Sequence, residues 1–470
     1  MELYWYDYET WGIDPMRDRP VQFAGVRTDP HLNEISEPLN LLCKPGLDCP
    51  ISPEASRINH ISPQDAEHKG LSEADFAARI HAELTRPQTS AVGYSAMGFD
   101  HEVTRLLFYR NLRDPYKWHW QNGNSKWDLI TLVRAAHLLR PDVLQVWPLK
   151  ADGAPSYRLA DLVKANVKDP VTPAHEALAD VRNMLKVARR IHSGAPRLFD
   201  HALSLAVKAE VKKAANDTFL WIDSRLGTER HCAAVFAQLR ALERDRIAAF
   251  DLSIDPAPFQ KPFDTWTDQD RKDAKSAVKV LSANRAPFVM KWSIPPRDPK
   301  AFPIMDKLQL DVGLLSGRLT VLRANTSALQ DYCEHIQHKW KRSDEAPKDA
   351  DEAIYSGGFF DDETTEARDR LLRAGTDMEQ WDRIQINDRR LATLAFRYRA
   401  RNYPETLDDA GRAEWKAYCR QRHYDLLDKN RRNAMQRFDE ELACVGEKGL
   451  SEERIQGLVA WRARVQSELQ

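Results

Sequence analysis

Two acids on one face of an aromatic strand constrain this chain most. Leu3-Tyr4-Trp5-Tyr6-Asp7-Tyr8 reads as a short strand, rich in residues that favour a pleated, half-buried surface. Asp7 and Glu9 stand two apart at its end, and strand side chains alternate, so both carboxylates point to the same face. They repel one another unless a cation neutralises them, and hard oxygen donors suit Mg2+ or Mn2+. A solvated strand end would explain a lone Asp-x-Glu. The surrounding Tyr4, Trp5, Tyr6 and Tyr8 do not describe a freely solvated edge.

The following residues extend this strand into an α/β pattern. Val21–Thr28 and Leu39–Lys44 read as strands separated by Asp, Pro and Asn turn residues. Leu71–Leu84 has helical spacing, with Phe76, Ile80 and Leu84 on one face. Ser90–Tyr94 is a fourth strand, a helix starts near Asp100, and Leu129–Leu139, Leu159–Asn166 and Ala174–Ile191 are helical. Strands first and helices afterwards predict a mixed sheet covered by helices. After Ser193-Gly194-Ala195-Pro196 the texture changes, and Phe219–Ile222, Ala233–Leu239, Ile247–Leu252, Phe288–Ser293 and Leu319–Leu322 read as strands of a smaller, β-rich domain. The polar, acidic Lys341–Ala353 reads as a linker. Beyond it Glu366–Ala374, Arg389–Tyr398, Asp408–Leu442 and Ser451–Leu469 are helical, the last with Ser451 as N-cap. The expected organisation is an α/β domain over residues 1–197, a β-rich domain over 198–345 and a helical domain over 346–470.

Charge and cysteine usage exclude several classes. The 470 residues carry 69 Lys+Arg against 70 Asp+Glu, a net charge of -1. A globally basic nucleic-acid binder is excluded, so an anionic partner must be held by a local patch or by metal ions. No stretch approaches the roughly 18 apolar residues of a membrane span. The N-terminus lacks a basic n-region and a cleavage site, so no signal peptide is expected and the cytoplasm is the expected compartment. The six cysteines are scattered without a Cys-x-x-Cys, which indicates neither a zinc ribbon nor a disulfide framework.

Two further segments carry chemistry. Gly93-Tyr94-Ser95-Ala96-Met97-Gly98-Phe99-Asp100 follows a strand and opens a helix; an Asp there is explained by N-capping alone. In Ala174-His175-Glu176-Ala177-Leu178-Ala179-Asp180, Pro170 and Pro173 place His175 near a loop-to-helix junction. Asp180 then falls about one turn into the helix, on a face with the small Ala177. The order Asp-x-Glu, Asp, His-x4-Asp matches one architecture: four carboxylates binding two metal ions about 3.5–4 Å apart. The histidine, with an unperturbed pKa near ~6.5, can take a proton from the attacking water.

This order resembles the DEDDh 3′-to-5′ exonucleases, and longer runs resemble the bacterial exodeoxyribonuclease I family. They are Asp7-Tyr8-Glu9-Thr10, Asp18 through Ala24, Cys43-Lys44-Pro45, Phe76 through His81, Asp100 through Arg105, Phe108 through Asn111, Asp114-Pro115-Tyr116, Trp127-Asp128-Leu129, and Ala174 through Asp180. The C-terminal third adds Tyr355 through Phe360 and Tyr398 through Pro404. The resemblance implies a ribonuclease-H-like catalytic domain, an SH3-like middle domain and a helical C-terminal domain. It also implies metal-dependent, processive 3′-to-5′ digestion of single-stranded DNA to mononucleotides in repair and recombination. Asp7, Glu9, Asp100 and Asp180 then bind two Mg2+ or Mn2+ ions, and His175 is the general base. Glu9, Thr10, Arg105, Tyr116, Trp120, Arg134 and Arg158 fall where the family touches DNA. Arginines suit phosphates and aromatics suit stacking, and Arg110, Arg113 and Lys117 extend that basic-aromatic patch. Ser95, Ala96 and Gly98 depart from the family, which has two Asn and an Arg there.

The resemblance further implies docking of the acidic, hydrophobic-ended tail of single-stranded-DNA-binding protein. Lys307, Arg318 and Arg323 beside Leu319, Val321 and Leu322 are the residues expected to receive it, arginine being suited to a carboxylate. A monomer without membrane contact is expected. The competing readings are a related ribonuclease trimming RNA 3′ ends and a catalytically dead nucleic-acid-binding scaffold.

Overall fold

The structure, a computed structural model, describes residues 1–173, 175–293, 303–339 and 349–470. The chain forms two compact units. One comprises Met1–Asn124, Val171–Arg182 and Asp344–Gln470; the other comprises Ser125–Pro170 and Asn183–Ser343.

In the first unit β1 (Glu2–Thr10), β2 (Pro20–Thr28), β3 (Leu39–Leu42) and β4 (Thr89–Gly93) lie in the order β3-β2-β1-β4. β1 runs antiparallel to β2 and parallel to β4. The parallel pair needs a crossover, and the helix Glu73–Leu84, capped by Ser72, is part of it. Alternation along β1 sends Tyr4, Tyr6 and Tyr8 into a core with Phe23, Phe76 and Phe108. Asp7 and Glu9 therefore emerge on the opposite face, as the period of two requires.

The helices Asp362–Ala374, Arg389–Asn402, Asp409–Arg420, Ala434–Val445 and Glu452–Leu469 belong to this same unit. Trp11 and Val21 pack with Cys419, Phe438 and Trp461, while Leu106 and Tyr109 pack with Leu371, Leu394 and Tyr398. The same unit holds a buried ionic group. Arg19 reaches Asp48 at 2.8 Å and Asp351 at 2.9 Å; Arg401 reaches the same two acids at 2.8 and 3.1 Å. The single helix expected over Asp408–Leu442 is two helices. A turn at Asp428–Arg431 interrupts it, and Asn433 caps the second helix with a capping box. Ser451 occupies the N-cap position of the last helix without a side-chain capping bond. Of the expected linker, residues 341–348 lie outside the described residues, and Ala350–Tyr355 forms a 3-10 turn capped by Asp349.

The second unit opens with the short strand β5 (Ser125–Asp128). Its sheet is made of β6 (Thr218–Ile222), β7 (Ala233–Leu242), β8 (Arg246–Asp251), β9 (Val278–Ser282) and β10 (Phe288–Lys291), in the order β10-β6-β7-β8-β9. Every pairing is antiparallel. Two strands escaped the sequence reading. Ser125-Lys126-Trp127-Asp128 contains one apolar residue, and β9 follows the helix Asp268–Ala277 without a turn signal. Leu319–Leu322, expected as a strand, is part of the helix Val312–Ala324. Leu315, Leu319 and Leu322 are its buried face, a spacing that a four-residue window cannot display. Among the described residues no helix is long and apolar enough to cross a membrane.

Candidate active site

Asp7, Glu9, Asp100, His175 and Asp180 all belong to the first unit. Asp7 and Glu9 come from β1, opposite Ala24 and Gln22 of β2. Asp100 is the first residue of the helix Asp100–Arg110, and its N-cap position is Phe99. The capping explanation for Asp100 therefore fails. Its side chain is buried and accepts a hydrogen bond at 3.3 Å from the Tyr8 N–H, which ties the helix start to the strand between the two β1 acids. Asp180 is the fourth residue of the helix Ala177–Gly194, and the burial of Ala177 and Ala179 lets that turn pack closely. His175 lies in the preceding turn at φ 63°, with its N–H donating to the Asp180 carboxylate at 3.1 Å. Ligand atoms of Glu9, His175 and Asp180 lie within 4.8 Å of one another.

Electrostatics suit this site to a positive charge. Burial, and then the neighbouring Asp100, Glu9, Asp180 and Glu176, holds the Asp7 carboxyl well above the usual carboxylate range. Glu9 is pushed up to about 9 by burial and then by Asp180, Asp100 and Glu176. Burial also raises Asp180, against the lowering effect of His175. Carboxylates crowded in this way are stable as anions only beside a cation, and a set of carboxylate oxygens with one imidazole alongside fits a hard divalent metal. A cavity of about 800 Å3 opens beside Glu9. It is walled by Thr10, Trp11 and Phe99 and, from the C-terminal helical segment, by Arg422, Arg437 and Phe438.

The other residues singled out in the sequence are distributed unevenly. Thr10 donates its hydroxyl to the Gly12 carbonyl at 2.6 Å. Arg105 is bound internally, to Glu102 at 2.5 Å and to the Tyr355 hydroxyl at 3.1 Å, with its guanidinium over the Tyr116 ring. Tyr116 in turn donates to the Ile354 carbonyl, and the Phe359 ring stands edge-on to it. Trp120 is 54% exposed, an open aromatic face. One member of the expected patch is not on it: Arg110 is buried beside Glu73. Arg134 and Arg158 belong to the second unit; Arg134 lies over the Tyr157 ring and Arg158 is exposed.

Lys307, Arg318 and Arg323 also lie in the second unit, on helices rather than a strand edge. Lys307 donates to the Leu138 carbonyl, Arg318 to that of Leu252, and Arg323 pairs with Asp217 at 2.7 Å. One group in the site was not singled out. Glu176, between His175 and the helix, accepts hydrogen bonds from Gln22, Asn40 and the Ala179 N–H. An acid directly before a helix start is the only signal it leaves in the sequence.

Comparison with known proteins decides the family. The Exonuclease family model matches residues 4–188, the Exonuclease I SH3-like domain 205–339 and the Exonuclease I C-terminal domain 348–467. Exodeoxyribonuclease I of Escherichia coli (strain K12) is 34% identical over 434 residues, 88% of each chain. This chain belongs to the exodeoxyribonuclease I family. Family membership makes it an exonuclease, with a ribonuclease-H-like exonuclease domain, an SH3-like domain and a C-terminal domain in that order. Among solved members, the crystal structure of E. coli Exonuclease I in complex with a dA16 oligonucleotide superposes with a TM-score of 0.85, at 32% identity over 100% of both chains. A crystal structure of SSB/Exonuclease I in complex with an inhibitor gives 0.83 at 32% identity over 99% of both.

Proposed function

We propose that this exodeoxyribonuclease I family member digests single-stranded DNA from the 3′ end, processively and to mononucleotides, in repair and recombination. Two divalent ions, Mg2+ or Mn2+, are held by Asp7, Glu9, Asp100 and Asp180. The catalytic, SH3-like and helical parts divide near residues 197 and 345. The observation that carries this reading is the crowding of Asp7, Glu9, Asp100 and Asp180 beside the His175 turn, with the Asp7, Glu9 and Asp180 carboxyls raised first by burial and then by neighbouring acids. The oligonucleotide bound to the E. coli relative supports the choice of substrate.

Divalent ions at this site supply the positive charge that acidifies an attacking water and stabilises a departing oxyanion. The protein's own part is to hold four carboxylates on three elements and to present a base. His175 is exposed, so a ring nitrogen that takes the proton from water can release it to solvent. Glu9 and Thr10 form one wall of the adjacent cavity, where a terminal nucleotide is received.

End-labelled single-stranded DNA and RNA, each incubated with the protein and Mg2+, test the reading. Release of mononucleotides from the DNA 3′ end is expected. Faster digestion of RNA would make the chain a ribonuclease, and no cleavage would make it a scaffold. Replacing the base, His175→Ala, is expected to slow turnover by about 10²–10⁴-fold, the usual loss for a general base. Unchanged single-turnover rates from pH 6 to 9 would assign the proton to another group. Docking of the tail of single-stranded-DNA-binding protein at Lys307, Arg318 and Arg323 is part of the proposal, and the SSB-containing structure of the relative supports such a partner. Arg323→Ala is expected to weaken a tail peptide's binding in fluorescence anisotropy while sparing digestion of naked DNA. Equal affinity would move the pocket elsewhere.

A further inference from the structure

Glu176 occupies a junction that nothing in the catalytic scheme uses. Its backbone carbonyl accepts the helical bond from the Asp180 N–H at 3.0 Å, and its side-chain Oε2 accepts from the Ala179 N–H at 2.8 Å. It therefore caps the helix that carries Asp180. Glutamate is not among the preferred N-cap residues, so a second requirement is needed to account for it here.

That requirement lies on β2 and β3. The other oxygen, Oε1, accepts from Gln22 Nε2 at 2.8 Å and from Asn40 Nδ2 at 3.1 Å. Gln22 completes the joint, because its own Oε1 accepts from the Ala177 N–H at 3.2 Å. One amide thus bonds both the carboxylate and the first N–H of the helix, which determines which way the Gln22 amide faces. Gln22 is buried and stands opposite Glu9 in the strand register. The joint consequently ties the helix that carries Asp180 to β2, the neighbour of the strand that carries Glu9. His175, adjacent to Glu176, holds a left-handed backbone conformation that costs energy in a non-glycine residue and persists only when its surroundings enforce it.

From this geometry we infer that the Glu176–Gln22 pair is a positioning clamp. It sets the first turn of the Asp180 helix and the His175 turn against β2, without touching substrate. The inference rests on the nuclease reading of Asp180 and His175, and goes beyond it by assigning roles to Glu176 and Gln22.

An exchange of the two side chains separates position from charge. In Glu176→Gln, an amide that still accepts from Ala179 turns its NH2 towards those of Gln22 and Asn40. In Gln22→Glu, two carboxylates face each other. The double exchange, Gln22→Glu with Glu176→Gln, restores a donor against an acceptor between the pair. With the Asn40 amide turned over it does so towards Asn40 as well, which in the unaltered protein accepts from Gln22 and donates to Glu176; the net charge is kept. With the full-length protein and a short single-stranded oligonucleotide, each single variant is expected to lose about 10–100-fold in kcat, the size found for groups that orient metal ligands. KM should stay within about two-fold. The double variant should recover to within about three-fold of the original kcat, a strongly non-additive cycle.

Singles that keep full kcat, a loss confined to KM, or a double variant as slow as the product of the two singles would each overturn the clamp. The last result would arise if the Glu176 carboxylate were itself a metal ligand, because the exchange moves that charge to β2. Thermal melts of all four proteins identify a variant that fails to fold, and the double variant then carries the test. Failure of the nuclease reading looks different, since the unaltered protein would itself leave the oligonucleotide intact.

Discussion

Asp7→Asn is expected to reduce digestion of single-stranded DNA by about 10⁴-fold or more and, at the same time, to raise the melting temperature of the metal-free protein. Losing a group that only orients a metal ligand costs about 10–100-fold, and removal of a ligand exceeds it. The stability gain has a separate origin. Asp7 is pushed well above the usual carboxylate range by burial and by Asp100, Glu9, Asp180 and Glu176, so its ionised form is disfavoured in the folded protein. Glu9 shares this condition, pushed up to about 9 from 4.5. A carboxyl raised on folding favours the fold's protonated form, so its ionisation destabilises the metal-free protein as pH rises from about 4.5 towards about 9. A neutral amide removes one such charge, and each 1 kcal/mol recovered is worth about 2–4 °C. Melts at pH 5 and pH 8, in chelator and in Mg2+, check this. The unaltered protein should lose stability between the two pH values only in chelator, and the Asp7→Asn protein should lose less. A variant less stable than its parent in chelator at pH 8 would count against the charge crowding described.

Asp351→Ala is expected to destabilise the first unit by about 3–5 kcal/mol, the cost of removing one partner from a buried ion pair. Asp351 accepts from Arg19, Arg397 and Arg401, and its removal leaves Arg19 and Arg401 to share Asp48, with Glu73 3.8 Å from Arg401. Burial opposes ionisation there, but Arg401, Arg19 and Arg397 outweigh it and hold the carboxyl well below its usual range. Asp48 is lowered in the same way, by Arg401 and Arg19. A carboxyl lowered on folding contributes fully above its unfolded value near ~3.9, and that contribution is lost as pH falls through the folded value. Chemical denaturation at pH 7 should show the loss, and the variant's stability should depend less on pH below about 4 than its parent's. A change under about 1 kcal/mol would mean that water replaces the missing carboxylate. Because Arg19 precedes β2 and Asp48 follows β3 while Asp351 and Arg401 come from the C-terminal third, the same variant also tests how firmly the helices are held to the catalytic fold.

The sequence alone determined the fold class and put forward Asp7, Glu9, Asp100, His175 and Asp180 as candidate site residues. Period two along Leu3–Glu9 places the tyrosines and the acids on opposite faces, and that inference needs no tertiary knowledge. The His-x4-Asp spacing likewise places Asp180 one turn into its helix, because helix geometry is local. Short elements were legible only where their pattern was longer than the element. The strand at Ser125–Asp128 has one apolar residue, and the helix over Leu319–Leu322 was cut too short to show its period.

Partnerships between distant residues were decided by the tertiary structure. Arg110 and Arg105 look alike in sequence, as basic residues near aromatics. One is buried against Glu73 and the other is held by Glu102 and Tyr355, and the difference depends on which face of their helix meets the rest of the unit. Asp100 reads as a cap by local rules and is instead bonded to the Tyr8 N–H, 92 residues away in the chain. Glu176 could not be distinguished from a solvated acid until Gln22 and Asn40, on other strands, were seen to donate to it. Periodicity records which side of an element is apolar. It carries no information about which polar group lies opposite, because that depends on how separate segments pack once folded.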